Sequence, residues 1–551
     1  MNATLLLRSV GLFSAALFGA LSAGALSTDV PYAGVLSVGA LSTGALSTDV
    51  PYAGVLSTGA PSTGVPSTGA PLKTVVLPGT VTADQVVLFW EKPADYQKIK
   101  DYRILLDGKE IGRTKQNFFR VTSLSAATAY SVTISPTGKN IESKEGKITF
   151  TTTPAGKRHH VKEYGAKGDG KTIDTKAIQA AIDECSPYGV VDIPKGEYIV
   201  GALFVEKDNI TIELAKGAVL KAVIDLDAFP VVKTRYEGRE RDAYSSVLNI
   251  GSLGEKRSKN IRICGQGTID NQGSILANMQ IEARDRSSRS HGLPIINCDD
   301  VSIDGITVTN PCTWNVHPIY CKGVTTIEAT MLSDKMGLSN ADGWNPDSSK
   351  DCYLINSVLE CHDDHVAIKS GTDAEGRRVG IPSENIFVYH CLFKHGGGIA
   401  VGSEMSGGVR NVWFEDLVIE NSDRGFHVKS RPGRGGVVEN IHFRNIVVER
   451  TGRWGISVDM WYYVQEHITG SRKPEEIPTF RGITFENILI KSAQGNPIQV
   501  IGLEENPITN ILFKNVTIEK NDGEVVLRNC RNITFENVRI KDKHWANNHF
   551  E

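Results

Sequence analysis

The sequence predicts an all-β protein, a parallel β-solenoid preceded by a small β-sandwich, and three observations predict it. A nine-residue phrase recurs: Asn, aliphatic, any residue, Phe, any residue, Asn or Asp, aliphatic, any residue, aliphatic. It starts at Asn411, Asn440, Asn510 and Asn532, with a variant at Gly482, so its intervals are 29, 42, 28 and 22 residues. Glycine is abundant at 54 residues, and helical periodicity is scarce. The texture also changes at Lys157: short strands with turn signals precede it, and the repeats follow.

Internal repeats of this length mean stacked supersecondary units. Side chains alternate across a strand, so the Ile, Phe and Val sets of each phrase can enter one shared core. The Asn side chains can ladder at the bends, where they bond backbone groups and tolerate left-handed conformations. One unit cannot bury its apolar face alone, and stacking buries it. At about 25–30 residues per unit, residues 157–551 make roughly ten coils. A single helical signal, Thr175–Glu184, precedes the repeats and is expected to cap the open end.

Upstream, residues 73–155 carry short strand signals at Val86–Trp90, Asp101–Leu106, Ala129–Ile134 and Lys147–Thr152, with the turn dipeptide Asp107-Gly108 between two of them. A small sandwich is expected. Trp90, Pro93, Tyr102, Leu124 and Tyr130 fall where fibronectin type III domains place their core residues, and the segment resembles that family. Residues 24–72 are low-complexity, and Gly24–Ser37 repeats identically as Gly44–Ser57. So little apolar side chain cannot offset ordering entropy, which predicts a disordered linker. At the start, Arg8 precedes an apolar run from Val10 to Leu21 and then small residues, the pattern of a signal peptide over residues 1–23. Export to the extracellular space or periplasm is the expected localisation. The run is too short for a membrane anchor.

The formal net charge is -3, with no basic stripe, so neither nucleic acid nor membrane is an expected partner. Nine cysteines contain no Cys-x-x-Cys pair, which argues against a zinc ribbon or redox motif. Most read as small buried residues, with room for one or two disulfides.

The residues that carry chemistry lie between Asn310 and Gly436. Tyr164-Gly-Ala-Lys-Gly-Asp-Gly, followed by Asp174-Thr-Lys-Ala-Ile-Gln179, resembles the opening of pectin-degrading β-helix enzymes. Pro311-Cys-Thr-Trp314-Asn-Val-His317-Pro, Asn345-Pro-Asp347, Asp363-Asp364 and His427-Val-Lys429 resemble, in order, segments of glycoside hydrolase family 28, the polygalacturonase family. Over residues 157–551 the resemblance implies a right-handed parallel β-helix. It implies hydrolysis of α-1,4-galacturonosidic bonds by inversion, with Asp363 as general acid and Asp347 and Asp364 holding the water. It also implies substrate contacts from Asn345, His317, His395, His427, Lys429 and Tyr462, with Lys429 pairing the uronate carboxylate. No metal or cofactor is expected. The partner is an acidic pectic polysaccharide or oligogalacturonide, met by a monomer. Relatives with an appended fibronectin-like module favour exo action.

Elementary chemistry agrees with such a site. Inversion needs a carboxylic acid and a carboxylate about 6.5–9.5 Å apart, with water between one of them and the sugar. Asp347 precedes Asp363 by 16 residues, close to one coil, which is expected to set their carboxylates on adjacent turns. Clustered carboxylates repel, so one keeps its proton. Two departures from the family bear on the substrate: His427 stands where Arg is usual, and His395 lies one residue from the expected His position, at Gly396. A related linkage, such as rhamnogalacturonan, and a non-catalytic glycan-binding solenoid are the alternatives.

Overall fold

The computed structural model describes residues 69–551 apart from 334–338 and 464–472. The expected signal peptide and nearly all of the linker lie outside the described residues. From Arg158 the chain winds into stacked parallel strands. A 22-stranded sheet runs the length of the solenoid. The opposite wall holds a four-stranded parallel sheet from Leu203–Val205 to Val316–Ile319, and a six-stranded one from Val366–Ile368 to Val526–Arg528. Single bridges from Trp344 to Val316 and Val366, and from Asp347 to Ile319 and Lys369, join the two through one intervening coil.

The repeated phrases stack in register, with Val412 on Ile441, Ile483, Ile511 and Ile533 in turn. Inside, Phe414, Phe443, Phe485 and Phe513 form a continuous stack with ring centroids 5.0, 4.7 and 5.1 Å apart. At the bends, Asn487 donates to Asn445 at 3.0 Å, Asn515 to Asn487 at 2.9 Å and Asn537 to Asn515 at 2.9 Å. Each of these residues has a positive φ, which Asn tolerates better than most residues. Gly482 takes the same conformation, φ +66°, and so keeps the bend without the amide.

Both ends of the stack are covered. The helix Thr175–Glu184 forms as expected and buries Ile178, Ala181 and Ile182. At the far end Lys543–Phe550 pairs antiparallel with Cys530–Ile540, and Trp545 and Phe550 pack edge-on against Phe535. All nine cysteines are thiols, so the one or two disulfides that the count allowed are not formed. Most of the thiols lie in the core of the solenoid.

Residues 69–155 form a three-stranded and a four-stranded antiparallel sheet around Trp90, Tyr102, Leu124 and Ile134. Phe89 faces the other way and enters a second aromatic cluster on the outside of the solenoid, 5.0 Å from Tyr389 and 5.7 Å from Tyr353. Arg120 bonds Asp304 through two nitrogens at 2.7 and 2.9 Å, and the Tyr96 hydroxyl bonds Asn445 of the Asn ladder at 2.9 Å. Fully buried aromatic side chains of this kind cost about 3–5 kcal/mol when truncated to Ala. Phe89→Ala is therefore expected to lower the stability of the whole chain by about that amount. Chemical denaturation followed by tryptophan fluorescence checks this, and a loss confined to a few tenths of a kcal/mol would show the junction to be loose.

Candidate active site

The joined four- and six-stranded wall carries the site. Val316, Trp344, Val366, Ile399, Phe426 and Ile456 point into the core. Alternation therefore turns their successors outward: His317, Asn345, Ala367, Ala400, His427 and Ser457 form one row, with Ala400 on Ala367 and His427 on Ala400. Two residues further along each strand comes a second row, Asp347, Lys369, Gly402, Lys429 and Asp459. The small Ala367 and Ala400 make a floor, and the charged second row makes one side.

The other side comes from the turns that enter these strands. Here the register corrects the expectation for Asp347. Trp344 pairs with Val366 and Asp347 with Lys369, so Asp347 stands level with the lysine and away from the aspartate pair. The Gly343 N–H donates to the Asp364 carbonyl at 3.0 Å, which places Asp342 on the coil neighbouring Asp364. Asp342, Asp363 and Asp364 are the carboxylates that the fold gathers. Asp363 accepts from the Asn340 N–H at 3.2 Å, and Asp342 accepts from the Asn345 amide at 2.6 Å. Asp347 instead pairs with Arg235 at 3.1 Å, and its other oxygen lies 3.7 Å from His317.

The three carboxylates are not equivalent. Burial is the largest influence on Asp342 and, with the charges of Asp363 and Asp364, outweighs Lys369 to push its carboxyl up to about 8. Burial would raise Asp364 as well, but the Lys429 and Arg424 charges together outweigh it and hold this carboxyl below the usual range. Lys429 bonds one Asp364 oxygen at 2.7 Å, and Arg424 approaches the other at 3.4 Å. Burial alone would lower Lys369, but Glu404 at 3.4 Å and Asp342 at 3.7 Å raise it. The cluster therefore sets the ionised Asp364 a coil from Asp342, which keeps its proton, with Asp363 next to Asp364 in the chain.

Of the other expected residues, His317, Asn345, His427 and Lys429 lie on the two rows. The half-buried Tyr462 ring lies 4.9 Å from the Lys429 nitrogen. The His427 ring donates to Asp459 at 2.7 Å, and burial lowers its pKa against the opposing charge of Asp459. His395 is exposed beside Asn421, 3.3 Å away, and Gly397 rather than His395 stands over Asp363, to whose carbonyl its N–H donates at 2.7 Å. A Cβ added at Gly396 would come within 2.5 Å of the His365 ring. His365 fills that slot, its Nε2 bonding the His395 carbonyl at 3.0 Å and its Nδ1 the Gly398 N–H at 3.3 Å.

Sequence reasoning missed Asp342, Arg424, Lys369, Glu404 and Arg235. Asp342 had a signal, since it sits 22 residues before Asp364, the span of the Trp344–Val366 bridge. Arg235 had none. It arrives on an antiparallel hairpin, Val231–Tyr236 with Arg239–Tyr244, that folds over the His317 end of the groove. There Tyr236 stacks on Trp314 at 4.9 Å, and the Tyr320 hydroxyl donates to Glu240 at 2.8 Å. Both ring nitrogens of His291 and His317, and the side-chain oxygens of Asn315 and Asn345, are buried there without a protein hydrogen-bond partner.

Known proteins resemble this chain over most of its length. A probable polygalacturonase of Vitis vinifera is 31% identical over 369 residues, covering 65% of this chain and 73% of that protein. An exo-poly-alpha-D-galacturonosidase of Dickeya chrysanthemi is 26% identical over 543 residues, covering 84% and 89%. Among solved structures, a family 28 exopolygalacturonase of Yersinia enterocolitica superposes with a TM-score of 0.71 at 24% identity, over 86% of this chain and 99% of the other, and supports the fold. A hyperthermoactive exopolygalacturonase of Thermotoga maritima gives 0.63 at 27% identity, over 72% and 94%. The profile of the glycosyl hydrolases family 28 matches residues 229–544, which span the hairpin, the groove and all the repeats, and the chain belongs to that family.

Proposed function

We propose that this protein hydrolyses the α-1,4-galacturonosidic bonds of polygalacturonate with inversion, from the chain end. The observation that carries the reading is the gathering of Asp342, Asp363 and Asp364 on two neighbouring coils beside Lys429, in a family 28 chain. Asp363 donates its proton to the glycosidic oxygen as the bond to the anomeric carbon breaks. A water held by Asp364 and Asp342 attacks that carbon from the opposite face and gives its proton to Asp364, which Lys429 and Arg424 keep ionised for the purpose. Asp342 thus takes the water-holding role first expected of Asp347. Lys429 and Tyr462 line the side on which a uronate carboxylate would lie.

Exo action is supported by the hairpin, which closes the groove at His317 so that a terminal sugar can enter and a continuing chain cannot. The names of the Dickeya and Thermotoga relatives support it too. We read residues 73–155 as a fibronectin type III-like module, residues 24–72 as a spacer, and residues 1–23 as an export signal, which suits an enzyme whose polymer lies in plant cell walls. A rhamnogalacturonan-type linkage is the second reading, favoured by His427 where the family usually has Arg.

A product time course on polygalacturonate tests the reading: monomer or dimer alone from the start is expected, and a ladder of oligomers would overturn exo action. Asp363→Asn and Asp342→Asn are each expected to cost about 10²–10⁴ in the rate of reducing-end release. Activity should survive EDTA and give no unsaturated, ultraviolet-absorbing product.

Stability gives an independent check on Asp342. Its folded pKa of about 8 lies above the ordinary 3.8, so between these values folding costs progressively more as pH rises. Asp342→Asn removes that cost. The variant should gain on the wild type by at most about 1.4 kcal/mol per pH unit across this window and level off above it. Urea denaturation at several pH values measures the gain, and a difference independent of pH would remove the assignment.

A further inference from the structure

The groove is short of free positive charge for a polyanionic ligand. Lys429 gives its ammonium to Asp364, Lys369 is shared between Glu404 and Asp342, and Arg235 is held by Asp347 and Ser348. The second cation expected from the family, an Arg at position 427, is a histidine here. Its ring is spent on Asp459 at 2.7 Å, and burial lowers its pKa.

Arg424 has donors left. Arg424 sits in the turn between strands Val409–Ser422 and Phe426–Lys429, three residues before His427. Its Nε donates to Asp423 at 3.0 Å, and its Nη1 reaches Asp364 at a long 3.4 Å. Its Nη2 has no hydrogen-bond partner among the described residues, and its side chain is 14% exposed, at the mouth of the aspartate cluster. A guanidinium offers five donors in a planar fork that matches a carboxylate, which an ammonium cannot do.

We propose that Arg424 is the specificity-determining cation of this groove, taking the place of the missing Arg at 427 and gripping a uronate carboxylate through its free Nη2 and Nη1 edge, with Lys429, which shares Asp364 with it, beside the same sugar. The proposal rests on the hydrolytic reading above. Substrate charge is then read by a residue that also borders Asp364, so the acid form of the sugar both binds and completes the charge balance around the ionised carboxylate. A methyl-esterified sugar loses the paired contact.

The test is calorimetric titration of the intact protein with D-galacturonate and with its neutral methyl ester, beside kcat and KM on trigalacturonate. A charge-assisted contact of this kind is worth roughly 1.5–3 kcal/mol, about 10–100-fold in affinity. Arg424→Gln should weaken galacturonate binding and raise KM by about that factor while leaving the methyl ester within about twofold, and Arg424→Lys should fall between. Equal losses for acid and ester would mean that Arg424 only braces Asp364, and would overturn the proposal. So would unchanged acid binding, or a wild type that shows no preference for the acid. If Arg424→Gln fails to fold, Arg424→Lys decides on the same ratio. A wild type that binds galacturonate selectively but leaves trigalacturonate intact would sink the hydrolytic reading and spare this one.

Discussion

The parallel register of the coils governs everything else in the molecule. Each residue sits about 4.8 Å from its counterpart one coil away, to which backbone hydrogen bonding pairs it. A one-residue slip would turn the outward row inward. The interior locks the register through the stacked phenylalanines, and the bends lock it through the asparagine ladder. The outer wall can then carry functional side chains at a fixed pitch without those side chains having to stabilise the fold.

Charge is distributed over that grid by burial and pairing. Asp364 lies between a lysine from two coils on and an arginine from the turn leading to it, so it stays ionised. Asp342 has the Asn345 amide and a shared lysine for company, with two carboxylates nearby, and holds its proton. Asp347 has the same chemistry but a dedicated arginine partner, so it anchors the hairpin. Three chemically identical groups acquire different work from their neighbours alone.

The repeating part of this fold was legible because each coil writes the same phrase, and the phrase starts differ by 29, 42, 28 and 22 residues, the very offsets at which the strands pair. The capping helix was legible from its own periodicity. The site was half legible. Asp363 and Asp364 stand out as an adjacent pair, but Asp347 looked like their partner because a distance of 16 residues was taken for a coil, when the local coil there is 22. Asp342, in Ala341-Asp342-Gly343, fits that longer coil. Arg235 and its hairpin could not be found by pattern, because they reach the groove from a distant part of the chain through an insertion that carries no repeat. His395 was misplaced for a related reason: a run of three glycines has no side chains to reveal its register, and the slot in question is filled by His365 from the previous coil.

The two covered ends of the stack have an evolutionary corollary. Between the helix Thr175–Glu184 and the reversed strand Lys543–Phe550, the long sheet pairs each coil with its neighbours. Whole turns could be duplicated or deleted in the interior without baring a sheet edge to other molecules. Lineages built on this plan are free to lengthen or shorten the substrate track one rung at a time while the acid cluster stays untouched.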